Sequence, residues 1–167
     1  MKKVLYFILI LCIVSCSSDK LVQLSFNELC SQLIEKKQAI NYTIDTDIFS
    51  VDSLCIANDS KSIVYVMNAS CSICIYQFVD FYYNNLQYLN QPIVVVVESD
   101  LKPQAEFFLE KAKIYPDSKN LILVDNNKKV IKGNIENLDL NGLVVLLNSK
   151  KIENSFQYIG QSDLFEE

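Results

Sequence analysis

Apolar residues along this chain recur in patterns that change from helical to strand-like several times. Val4 to Val14 is one unbroken apolar run. Ser25-Phe26-Asn27-Glu28 then has the form of a capping box, in which a serine hydroxyl and a glutamate satisfy free backbone donors. A helix should start there, because Phe26, Leu29, Cys30, Leu33 and Ile34 follow at helical spacing. From Asn41 to Ser60 the pattern is less regular, with a short strand expected around Ser53 to Ala57. Ile63-Val64-Tyr65-Val66-Met67 reads as a strand, and Ile75, Phe78, Val79, Tyr82 and Leu86 as the buried face of the next helix.

The second half continues the alternation. Ile93-Val94-Val95-Val96-Val97 is an uninterrupted β-branched run that suits a parallel strand covered on both faces. Pro103 suits a first helical turn, with Ala105, Phe108, Leu109 and Ala112 as its apolar stripe. Leu121 to Val124 and Val130 to Lys132, joined by Asp125-Asn126-Asn127-Lys128, predict a hairpin. A last helix is expected from near Asp139 or Asn141, burying Leu143, Val144, Leu146 and Leu147. The predicted fold class is α/β, a central mixed sheet flanked by helices with an extra N-terminal helix.

The 167 residues, half of them hydrophobic and 21% charged, suit one globular domain rather than a disordered chain. Lys2 and Lys3, the short apolar run and the small-residue site Ser15-Cys16 have the order of an export signal. Three segments are therefore expected: a signal over 1–15, a short tether over 16–24, and a domain over 25–160 that includes the N-terminal helix. Loss of the two lysines would take the formal charge from −5 to −5 − 2 = −7. That charge, with no Arg anywhere, argues against nucleic acid as a partner.

Six cysteines remain to be placed. Cys12 falls in the signal and Cys16 at its end; Cys30 and Cys55 read as small apolar core residues. Cys71-Ser72-Ile73-Cys74 is different, because it lies where a strand gives way to a helix. A cysteine in a first helical turn faces unpaired N–H groups and the positive end of the helix dipole, which favour thiolate. A second cysteine three residues on shares its face and is within reach of a disulfide. With no His in the chain and no Lys within nine residues of Cys71, thiolate stabilisation would rest on those helix-end donors, giving a moderate pKa depression.

Ile13-Val14-Ser15-Cys16 resembles the lipobox of bacterial lipoproteins, which implies cleavage before Cys16 and its acylation, so a lipid anchor in the cell envelope. The element order from Ile63 onward, with C-x-x-C between strand and helix, resembles the thioredoxin fold over about residues 50 to 150. Together with Asn68-x-x-Cys71-Ser72-x-Cys74 and the late hairpin through Asp125 and Val130, the lipobox resembles thioredoxin-like lipoproteins of the Bacteroidetes envelope. That resemblance implies Cys71 as the exposed nucleophile and Cys74 as the resolving thiol, acting on thiol or disulfide protein substrates and an envelope redox partner. Ser72 could donate a hydrogen bond to the thiolate and Ile73 offer an apolar contact to substrate. Several places depart from the family pattern. Ser70 stands where thioredoxins usually carry Trp, and no buried carboxylate lies in Ile63 to Met67. Relatives place a cis-proline immediately before the strand that faces the cysteines; Lys119 or Asn120 holds that place, and Pro116 is the candidate equivalent.

The alternative is a redox-inactive module of the same fold that presents a surface, such as Tyr76, Tyr82, Tyr83 and Tyr88, to an envelope partner. A zinc site wants four ligands, which two cysteines and no His do not supply, so neither metal nor other cofactor is expected. A peroxidase would need an arginine beside its cysteine, and the chain has none.

Overall fold

The computed structural model describes residues 24–54, 61–85, 91–116 and 121–160. Cys12, Cys16, Cys55, Leu86, Tyr88, Lys119 and Asn120, with the expected signal and nearly all of the expected tether, lie outside these residues. The elements are α1 (Phe26–Glu35), β1 (Ala39–Asn41), β2 (Lys61–Val66), α2 (Ser72–Asn85), β3 (Ile93–Val97), α3 (Lys102–Lys111), β4 (Leu121–Asp125), β5 (Leu143–Asn148) and β6 (Lys151–Tyr158). Short 3-10 turns occupy Val51–Ser53 and Ser99–Leu101. The expected strand near Ser53 is thus a 3-10 turn where it is described.

Capping of α1 follows the sequence: Glu28 N donates to Ser25 Oγ (3.2 Å) and Ser25 N to Glu28 Oε2 (2.7 Å). Its buried residues are Phe26, Leu29, Cys30 and Leu33, the anticipated stripe. The six strands form one sheet in the order β1-β6-β5-β2-β3-β4. β2, β3 and β4 run parallel, whereas β5, β6 and β1 add antiparallel neighbours on the other side of β2. Both helical crossovers step the same way across the sheet, and crossovers of one hand then put both helices on one face. One core accordingly joins Ile63, Tyr65 and Met67 to α1, α2 and α3. A second core joins Val64, Val66, Val94 and Val96 to Phe49, Leu54, Val130, Ile131, Ile135 and Leu140. Among the described residues, loop segments and the 3-10 turn at Val51–Ser53 cover this second face.

Two predicted elements are corrected. The expected last helix is strand β5, and its partner in a hairpin is β6. Leu143, Val144, Leu146 and Leu147 are spaced as a helix would bury them, but Val145 is equally inaccessible, because alternate residues feed the two cores. A run buried on both faces has no period by which to tell strand from helix. Ser149 and Lys150 make the connecting turn with φ of +49° and +63°, the geometry of a two-residue hairpin built without the usual glycine.

The other correction is the hairpin at 121–132. After β4, the Asn126 side chain turns the backbone away, accepting from Ile131 N (2.8 Å) and donating to Gly133 O (3.3 Å). Val130 to Lys132 then meets the loop at 48–50, with Ser50 N donating to Val130 O (2.7 Å) and Lys132 N to Ile48 O (2.9 Å). β4 is left as an edge strand, paired with β3. The topology as a whole, parallel β-α-β crossovers with an antiparallel hairpin on the opposite flank, is α/β.

Candidate functional site around Cys71 and Cys74

The direction of the chain reverses across the sheet at β2, with β3 on one side and β5 on the other. Crevices at the carboxyl end of such a strand are the usual ligand sites of α/β sheets. Here the chain leaves β2 through Met67, Asn68, Ala69 and Ser70 and enters α2 at the cysteines. Asn68 Oδ1 accepts from Ser70 N (3.0 Å) and Ser70 Oγ (2.7 Å), which bends the backbone into the helix. Cys71 precedes the first residue of α2, and its Sγ accepts a hydrogen bond from Cys74 N at 3.3 Å. The sulfur thus occupies the place of an N-cap oxygen, on one of the free helix-end donors.

Both cysteines of the motif are partly exposed free thiols, and Cys30 is a buried one. Cys74 is pushed up to about 12 by burial first, then by its hydrogen bond to Cys71 and the Cys71 charge, with Asp139 adding to the effect; its own backbone bond opposes it. Cys74 therefore holds its proton. Ser72 is exposed and its hydroxyl makes no hydrogen bond to the sulfur. Ile73 and Tyr76, three residues apart in the first turns of α2, stand 51% and 65% exposed.

The segment facing this junction is Asp139 to Gly142, which precedes β5. Asn141 Oδ1 accepts from Asn68 N (3.0 Å), Asn141 Nδ2 donates to Gln77 Oε1 (2.6 Å), and Gly142 N donates to Val66 O (2.9 Å). Gln157 Nε2 holds the same loop through the carbonyls of Asn141 (3.0 Å) and Asp139 (3.3 Å). Gly142 has φ +77°, and a Cβ there would lie 2.3 Å from Tyr158 O. The place next to the β2 strand is thus held by Asn141-Gly142, not by the residues before β4. Pro116 lies in the segment leading to edge strand β4, with β3 between that strand and β2, and no peptide bond among the described residues is cis. Sequence reading missed the loop because Asn-Gly also marks an ordinary turn, and because β5 was taken for a helix.

Beneath the thiols the helix face is aromatic. Cys74, Phe78 and Phe81 fall at i, i+4 and i+7 on α2, and the Tyr65 ring packs against Phe78 (4.8 Å between centroids) and Phe81 (5.4 Å). Tyr158 lies 5.0 Å from Phe81 and donates its hydroxyl to Asp80. Among the described residues no group of three or more Cys, His, Asp or Glu converges on a metal-sized site, and no helix is long and apolar enough to cross a membrane.

No family model and no curated protein matches the chain. Solved structures similar to it include the solution structure of a thiol:disulfide interchange protein from Bacteroides sp., at 17% identity and a TM-score of 0.39, covering 70% of this chain and 76% of that one. The crystal structure of a thioredoxin-like protein from Aeropyrum pernix is similar at 11% identity and a TM-score of 0.39, covering 80% of this chain and 90% of that one.

Proposed function

We propose that this chain is a thiol-disulfide oxidoreductase of the cell envelope, anchored through lipid on Cys16, that exchanges disulfides with protein substrates. Cys71 attacks a substrate sulfur and Cys74 resolves the mixed disulfide. Support comes above all from the inequality of the pair: Cys71 carries a helix-end hydrogen bond and Cys74 a raised pKa. Exchange requires an attacking thiolate and a second thiol that stays protonated until it is needed. In the forward step the Cys71 thiolate bonds to one substrate sulfur while the other leaves as a thiolate. Cys74 then gives its proton to water and bonds to Cys71 as the bond from Cys71 to the substrate breaks, and the substrate departs reduced, its second thiolate taking a proton from water. The reverse order oxidises a substrate with the same atoms.

Ile73 and Tyr76 supply the apolar rim on which a polypeptide substrate rests, and Ser72 leaves its hydroxyl free beside the sulfur. The test is a pair of substitutions in the purified full chain, assayed for turnover of a protein disulfide. Cys71→Ser should abolish exchange, and Cys74→Ser should leave mixed disulfides that gel electrophoresis detects and reductant removes. Exchange unchanged in both variants would refute the proposal.

A further inference from the structure

Tyr65 is fully buried in β2, yet among the described residues its hydroxyl has no hydrogen-bond partner. Buried hydroxyls are nearly always paired, and an unpaired one destabilises a fold. Phenylalanine would fill the same space between Phe78 and Phe81 without that cost. A tyrosine here therefore calls for an acceptor that the resting protein does not offer.

The groups that face the hydroxyl are few. Tyr158 of β6 donates its hydroxyl to Asp80 of α2, Asp80 also accepts from Asn84 Nδ2 (2.6 Å), and no acceptor among the described residues lies within hydrogen-bond reach of Tyr65. Cys74 lies on the same α2 face as the two rings that hold Tyr65, and it is the group on this side whose charge changes during exchange. Burial first, then the charges of Tyr158, Cys74 and Asp80, keep the Tyr65 phenol well above its ordinary range, so it is a donor at every working pH. A neutral thiol accepts hydrogen bonds weakly, and a thiolate accepts them strongly.

We infer that the Tyr65 hydroxyl is the donor for the Cys74 thiolate in the resolving step. The inference rests on the oxidoreductase reading for its purpose, though not for its measurement. When Cys74 attacks, its proton goes to water and its sulfur carries the charge. The Cys71–Cys74 bond forms, the bond from Cys71 to the substrate sulfur breaks, and the substrate thiolate takes a proton from water. Tyr65 keeps its own proton throughout and gives a hydrogen bond to the sulfur only while that sulfur is charged.

The test uses full-length Cys71→Ser protein, in which Cys74 stands without its thiol partner. The alkylation rate of Cys74 is followed against pH by peptide-resolved mass spectrometry. Adding Tyr65→Phe should raise the midpoint by about one unit and slow alkylation at pH 8 about three- to fourfold, since the more basic thiolate regains part of the loss as nucleophilicity. Tyr65→Met, which lacks the hydroxyl but differs in shape, should act in the same direction, and thermal melts verify that each variant is folded. A Cys74 profile that moves less than twofold in rate in either folded variant overturns the inference. Failure of the unsubstituted protein to exchange disulfides would refute the oxidoreductase reading alone, since the Cys74 profile is read without substrate.

Discussion

Cys74 should react far more slowly with an alkylating agent than an ordinary cysteine, and removing Cys71 should speed it up. At a pKa of about 12, a thiol is ionised at pH 7 in about one molecule in 10^5, against about three in 100 for a free cysteine near 8.5. That is a deficit of about 3.5 powers of ten in thiolate. A more basic thiolate is a better nucleophile, and with a Brønsted coefficient of about 0.45 it recovers about 1.6 of them. The net expectation is a slowing of roughly a hundredfold relative to the unfolded chain. The assay is a timed pulse of iodoacetamide on the reduced protein at pH 7, with Cys30, Cys71 and Cys74 separated as peptides. In Cys71→Ser the charge of Cys71 vanishes while burial remains, so the Cys74 pKa should fall and its rate should rise. Alkylation of Cys74 at the unfolded rate, or a slower rate in Cys71→Ser, would refute the claim that burial and Cys71 hold its proton.

The same inequality reaches stability. A thiol whose folded pKa is raised keeps its proton longer in the folded than in the unfolded protein, so its contribution is present below about pH 9 and is lost as pH rises toward about 12. Screening at this partly exposed side chain discounts the full shift to about 2 kcal/mol. Denaturant titrations at pH 8 and 11 should therefore differ more in the unsubstituted protein than in Cys74→Ser. Gly142→Ala should lower stability by more than about 2 kcal/mol, since the residue has φ +77° and its Cβ would meet Tyr158 O; an unchanged urea midpoint would contradict this. Asn141→Ala removes the bonds to Asn68 N and Gln77 Oε1 and should cost about 1–2 kcal/mol in the same assay. Ser25→Ala should cost about 1 kcal/mol through the α1 cap, with exchange unaffected.

How much of this was legible in the sequence depended on the environment each segment enters. α1 announced itself because Ser25 and Glu28 act locally, within a single turn. β2 and β3, although also buried on both faces, were readable from their β-branched runs, where β5 is rich in leucine, and α3 was readable from Pro103 in its first turn. On α2 the predicted face was displaced: Phe81 and Asn85 are buried along with Ile75 and Phe78, whereas Val79 and Tyr82 pack at the edge. That helix is aromatic nearly all round, so periodicity alone could not place its axis. Tyr76 and Tyr83 are indeed exposed, and no hydropathy rule separates them from the buried Tyr65 and Tyr158. β5 was misread because it is buried on both faces. The Asp139–Gly142 loop was lost with it, since its importance comes from the strand that follows and from contacts 73 residues away at Asn68. The Cys71–Cys74 pair was found because its chemistry needs only a strand end, a helix start and a spacing of three.

The most direct test of the account is the reduction potential of the Cys71/Cys74 pair, measured by equilibrating the purified protein with glutathione or dithiothreitol buffers and counting mass-tagged thiols. An exchange catalyst should titrate between about −120 and −270 mV. A value below about −300 mV, or a disulfide that does not join Cys71 to Cys74, would contradict the central claim and mark the pair as structural.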